Sequence, residues 1–293
     1  MSCCPARACC QKTFRSGCGR DSPSLDKLVM MQSTSLFLPA TSSPPNAAPQ
    51  QTWKSGPSAP VIWQSEVHVW RARLDVPWSW TLDEALSLDD RTRADRFKFE
   101  SDRRRFCVAR ASLRLILSRY LKTKPGRLQF ETGEFGKPFF ANEKLSGGLR
   151  FNLSHSHQLA LIAITREREV GVDLEYMRSD FVTDEVANYF FSPAEVQQFR
   201  EVPPESKTQS FFSCWTRKEA YIKARGEGLY CPLNQFDVSV GPATPAMLLD
   251  SRVDAADVQR WSFHDIAAGD CYAGTVAVDG ACSRLVLWDL NEL

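Results

Sequence analysis

Three carboxylates and a lysine carry the strongest chemical signal in this 293-residue chain. Asp173 and Glu175 close the run VGVDLE, and alternate residues of a strand share one face. Two acids side by side repel unless water or a cation screens them, and hard divalent cations favour such oxygen pairs. Mg²⁺ commonly takes one or two carboxylates together with substrate phosphates. Val172 and Leu174 then point the other way, into a core, while Gly171 eases the backbone into the site. Taken alone, the motif reads equally well as a strand end in solvent.

The run WTRKEAYIK supplies the other groups. On a helix Trp215, Glu219 and Lys223 fall near one face, with Lys218 one step to the side. An exposed Glu219–Lys223 pair would be ordinary surface stabilisation, worth roughly 0.3 kcal/mol. The flanking FFSCW and AYI are too apolar for that, and a charged pair beside buried aromatics needs partners. FNLSHSH places Ser154 and His155 at a strand end. Its two imidazoles, His155 and His157, lack a third soft ligand for zinc, and the chain has no G-x-S-x-G elbow for a serine hydrolase. FGKP, with Gly136, Lys137 and Pro138, is a glycine turn carrying a lysine. Together, three carboxylates could hold one Mg²⁺, and Lys137, His155, Lys218, Lys223 and the arginines near Arg105 could hold phosphates. That is the equipment of phosphoryl-type transfer, where catalysis is mostly positioning and charge neutralisation.

Positioning these groups falls to a regular series of elements. VIWQSEVHVWRARLD alternates as a strand, so order begins near Val61. TLDEALSLDDRTRADRFKF reads as one polar helix, and DRRRFCVARASLRLILSRYL as a stronger one with Phe106, Leu113, Leu117 and Tyr120 on a stripe. Arg103, Arg104, Arg105, Arg110 and Arg114 crowd its first half against the helix dipole. They are either salt-bridged to nearby acids or part of an anion site. KPGRLQFETGEFGKPFF holds a short strand and turns. GLRFNLSHS, HQLALIAITR and EVGVDLEYM read as three strands joined by tight turns. TDEVANYFFSPAEVQQFREV is helical with a break at Ser192-Pro193. SKTQSFFSCWTRKEAYIKARGEGL is the best helix, ending at Gly226 or Gly228, and strands return to the end. The pattern repeats loosely about residue 168, and helices segregated from hairpin-connected strands indicate an α+β fold. The expected division is a tail over 1–60, a first half over 61–168 and a second half over 169–293.

FNLSHS, GVDLE and FFSCWTRKEAYIKARGEGL resemble, in order and spacing, the three signature motifs of the Sfp-type 4′-phosphopantetheinyl transferases. FGKP resembles the motif that precedes them and YFFSPAEV the helix that links them, so the resemblance covers about residues 85–240. It implies a pseudo-twofold pair of similar α+β halves with antiparallel sheets, acting as a monomer with the site between the halves. It implies Mg²⁺-dependent transfer of phosphopantetheine from coenzyme A to a serine of an apo acyl or peptidyl carrier protein, releasing 3′,5′-ADP. Fatty-acid, polyketide, peptide and aminoadipate-route lysine synthesis all use such carriers. Asp173, Glu175 and Glu219 match the Mg²⁺ carboxylates, with Glu219 and Lys223 catalytic. Lys218 and Lys223 match phosphate contacts, Ser154 and His155 the 3′-phosphate region of coenzyme A, and Gly136, Lys137 and Pro138 a segment along the nucleotide. Arg93 and Arg105 align with basic positions of the first half. His157, following His155-Ser156, and the long N-terminal stretch depart from the pattern. The competing readings are a non-catalytic coenzyme A or carrier binder, which the intact carboxylate and lysine set argues against, and a Mg²⁺-dependent phosphatase or nucleotide hydrolase.

The composition is that of an ordinary globular protein, and the net charge of +1 gives no pull toward nucleic acid or membrane. No apolar run approaches the roughly 18 residues of a membrane span. Residues 1–60 carry six lysines and arginines against two acids, and eight of the 17 prolines. They read as a disordered Ser/Pro/Cys-rich tail. The expected location is cytoplasmic, or a plastid or mitochondrion if that tail is a transit segment. Cys3, Cys4, Cys9, Cys10 and Cys18 cluster there without paired C-x-x-C spacing, and the other five cysteines read as buried thiols.

Overall fold

The computed structural model describes residues 51–228 and 231–291. The chain enters through β1 (Lys54–Ser55) and β2 (Glu66–Arg73). Helices α1 (Trp80–Ala85), α2 (Leu88–Ala94) and α3 (Glu100–Leu121) follow, then a small hairpin of β3 (Phe130–Thr132) and β4 (Pro138–Phe140). Next come β5 (Leu149–Ser156), β6 (Leu159–Arg166) and β7 (Val170–Tyr176), then α4 (Asp184–Phe190), α5 (Pro193–Glu201) and α6 (Pro204–Arg225). The remainder is β8 (Phe236–Val238), β9 (Leu248–Ser251), α7 (Asp257–Arg260), β10 (Trp261–Asp265), β11 (Tyr272–Asp279) and β12 (Arg284–Asp289).

The α+β expectation holds. One sheet has the order β1-β12-β2-β6-β5 and a second the order β10-β11-β7. Pairing is antiparallel except where β12 lies parallel to both β1 and β2, so the first sheet is mixed and not wholly antiparallel. The stripe of α3 packs on one face of the first sheet, where Leu113, Ile116 and Leu117 meet Trp70, Ala72, Ile162 and Ile164. The other face meets the second sheet, joining Val67, Val69, Leu161 and Ala163 to Val172, Leu174, Val276 and Val278. Val172 and Leu174 thus sit in a core as period two requires. Helix α6 covers the far face of the second sheet against β7 and β11.

Three expectations change. Order is present by Gln51, ahead of Val61: β1 pairs with β12, and Gln51 Nε2 and Trp53 Nε1 donate to the Asp265 and Ala267 carbonyls at 2.7 and 2.8 Å. Those partners lie at the other end of the chain, beyond any local pattern. Residues 1–50, with their five cysteines, lie outside the described residues. The single polar helix is two, because Ser87 stops α1 and starts α2 with a capping box shared with Asp90. The arginines of α3 largely form salt bridges. Buried Asp90 takes Arg110 Nε at 2.7 Å and Arg114 Nε at 2.5 Å, and Arg103 pairs with Asp95 and Glu100. The helix break at Ser192-Pro193 is present, capped by Ser192 and Glu195, and α6 ends at Gly226 in the left-handed region.

Candidate active site

The site begins with an unusually close helix–strand contact. A Cβ on Gly171 would stand 2.1 Å from the Ala220 carbonyl and 2.3 Å from the Ala224 nitrogen. Glycine is therefore needed so that α6 can lie against β7, and not to ease the backbone as the sequence suggests. Asp173 and Glu175 share the face of Gly171, so this approach brings them under Glu219 and Lys223.

Lys223 Nζ lies 2.5 Å from Asp173 Oδ1 and 3.2 Å from Ser154 Oγ. Ser154 Oγ itself donates to Asp173 Oδ1 at 3.0 Å, and Ser156 Oγ donates to Glu175 Oε2 at 3.0 Å. Asp173 Oδ2 and Glu219 Oε1 are buried and have no partner among the described residues. Burial pushes the Glu219 carboxyl up to about 7, with Lys223 opposing and Asp173 adding to the shift. Burial and then Asp173 raise the Glu175 carboxyl well above the usual range. Burial works against the Lys223 ammonium, yet Asp173, Glu219 and Glu175 together hold its pKa above the ordinary value. The site is a nest of mutually repelling acids with one lysine among them.

That arrangement fits a hard cation in its donors but not yet in its geometry. The donor set is all oxygen, and two of its oxygens are desolvated and unpaired. Among the described residues no three His, Cys, Asp or Glu side chains already converge as a metal cage.

The remaining sequence-predicted residues divide. FGKP closes on the end of α6: Gly136 has φ +87°, and Lys137 Nζ binds Glu169 Oε2 at 2.8 Å and the Ala224 carbonyl at 3.1 Å. Pro138 opens β4. Ser154 and His155 point to opposite faces of β5, because neighbours on a strand alternate. Ser154 faces β7, while His155 pairs with Ala160 on the face that carries α3. Burial, then the charges of Lys223 and Arg105, lower the His155 pKa to about 4. Arg105 binds Asp102 Oδ1 at 3.2 Å, and Arg93 lies 5.8 Å over the ring of Phe106.

Lys218 requires a correction. It is fully buried, with Nζ 2.8 Å from Glu195 Oε2 and 2.7 Å from each of the Leu233 and Phe236 carbonyls. Its three donors are committed, so it is a structural tether and not a phosphate contact. Two groups escaped the sequence reading. Asn152 Oδ1 and Ser156 Oγ accept the N–H of Val172 and Tyr176 at 2.9 and 3.0 Å. Their signal was the period-two spacing with Ser154.

A model described as 4′-phosphopantetheinyl transferase, N-terminal, matches residues 70–167, and one described as the 4′-phosphopantetheinyl transferase superfamily matches 169–277. The chain is 40% identical over 233 residues to the 4′-phosphopantetheinyl transferase HetI of a Nostoc species, covering 79% of this chain and 95% of that one. It is 36% identical over 193 residues to slr0495 of Synechocystis sp., covering 66% and 76%. A 4′-phosphopantetheinyl transferase of Bacillus subtilis is 30% identical over 154 residues, covering 53% and 66%. No helix among the described residues is long and apolar enough to cross a membrane. With these matches spanning both halves around the buried carboxylates, the chain belongs to the 4′-phosphopantetheinyl transferases, enzymes that move phosphopantetheine from coenzyme A to carrier proteins.

Proposed function

We propose that Asp173, Glu175 and Glu219 hold a Mg²⁺ ion, and that Glu219 and Lys223 carry out the transfer. The observation that carries this reading is the pair of buried, unpartnered oxygens, Asp173 Oδ2 and Glu219 Oε1, beside Lys223. The bound ion would neutralise the pyrophosphate of coenzyme A. The carrier serine oxygen attacks the phosphorus that bears pantetheine. A new P–O bond forms to serine, and the bond to the bridging oxygen breaks, releasing 3′,5′-ADP. Glu219 takes the serine proton, a role open to a carboxylate that reaches the hydroxyl. Lys223 faces the negative charge that develops on the leaving oxygen. Lys137 and Arg105 supply positive charge to the nucleotide end of coenzyme A, and His155, neutral at pH 7, supplies a hydrogen bond there; Lys218, its donors committed, does not take part.

Glu219→Gln tests the reading. It is expected to remove transfer, measured as the mass gain of an apo carrier with coenzyme A and Mg²⁺, while the melting temperature stays near wild type. The amide relieves repulsion and fills the same space. Near-normal transfer by this variant would sink the assignment.

A further inference from the structure

We propose that Ser156, and beside it Ser154, are positioning residues that orient the two strand carboxylates for the cation. β7 is the outer strand of its sheet, so no strand among the described residues receives its outward N–H groups. The edge is closed by a row of side chains from β5. Asn152 accepts the Val172 N–H at 2.9 Å, Ser154 the Leu174 N–H at 3.3 Å and Ser156 the Tyr176 N–H at 3.0 Å. Each rung spans 20 residues, so the row holds one register. A hydroxyl also has a proton to give, and both serines give it to the residue before the one whose N–H they accept. Ser154 donates to Asp173 Oδ1 and Ser156 to Glu175 Oε2.

Each serine thus fixes a carboxylate oxygen against the backbone of the strand that carries it. At Asp173 the other oxygen is left buried and unpaired. The amide rung lacks this second function, because the matching position is Gly171 and has no side chain to orient. Asn152 therefore provides an internal control: it joins the strands without touching a carboxylate. The two serines instead do what outer-shell partners do at metal sites, where their loss weakens binding about 10–100-fold.

The inference rests on the carboxylate reading above, and direct metal binding separates the two. Mn²⁺ is titrated against the full chain with coenzyme A present and carrier absent, following free Mn²⁺ by electron paramagnetic resonance. Ser156→Ala is expected to weaken binding about tenfold or more. Ser156→Thr, which keeps the hydroxyl, should restore it. Asn152→Ala should lower the melting temperature while leaving Mn²⁺ affinity at the wild-type value. Wild-type affinity in Ser156→Ala, or an equal loss in Asn152→Ala, overturns the proposal. Should the alanine variant not fold, Ser156→Cys keeps size but offers only a weak donor, and is read against the same two outcomes. Glu219→Gln calibrates the titration. If it binds Mn²⁺ as wild type does, the carboxylate reading itself fails; if it loses affinity and Ser156→Ala does not, only the serine inference falls.

Discussion

Lys218 and Lys223 lie on one helix within two turns, yet only Lys223 reaches the carboxylates. Sequence motif alone gives them the same role; burial separates them. Lys218→Met leaves Glu195, 1% exposed at its side chain, without its ion pair. Breaking a buried pair from one side costs about 3–5 kcal/mol, so urea unfolding should show a loss of that order. The KM for coenzyme A of the folded protein should not change, whereas a phosphate-contact role would raise it. His68 makes a second prediction at this scale. It is 3% exposed, its Nδ1 meets Tyr120 Oη at 2.7 Å, and burial, with Glu66 opposing, lowers its pKa to about 4. As pH falls, the unfolded chain therefore takes up this proton first. The contribution is complete above the unfolded value of 6.5 and is lost as pH drops from there toward 4. Between pH 7 and pH 5 the wild type should lose about 2 kcal/mol more than His68→Gln, read from urea titrations at each pH.

At the level of elements, α6, β7 and β5 make the site, and their contact depends on what is missing as much as on what is present. Gly171→Ala would drive a methyl into the backbone of α6. Backbone cannot rotate aside as a side chain can, so a loss of about 3 kcal/mol is expected, with Mn²⁺ affinity falling as Asp173 moves from Glu219. Calorimetric melting and the same metal titration check both. Much of this assembly was legible in the sequence. Period two put Asp173 and Glu175 on one face, the helical period put Glu219 and Lys223 on another, and Gly226 and Pro193 marked helix ends. The close approach at Gly171 was not legible, since an extended glycine looks the same whether or not a helix crosses it. Nor was the serine row, because side-chain bonds to a strand edge depend on how two sheets meet. The two-helix break at Ser87 was readable from its capping residues, but the continuous polar pattern around it hid the stop.

At the scale of the molecule, the two sheets are not two successive stretches of chain. β12, the last strand, lies in the first sheet between β1 and β2, with Leu285–Leu287 paired to Val67–Val69. The half expected over 61–168 therefore lacks a strand of its own sheet, and that strand is supplied from beyond β11. β12 also brings Trp288 within 6.2 Å of the His68 and Trp70 rings, and Asp289 to Arg71 at 2.8 Å. Removing residues 282–293 strips β2 of one of its two partners, leaving only β6, and uncovers one side of Val67 and Val69, which join the first sheet to the second. The carboxylates would remain in the chain, but the sheet that carries Ser154 and Ser156 would have a new unpaired edge. The truncated chain is expected to lose cooperative unfolding and transfer together, with coenzyme A failing to protect it from heat. A cooperative melt in that protein would mean that the first sheet is complete without β12, against the register seen here.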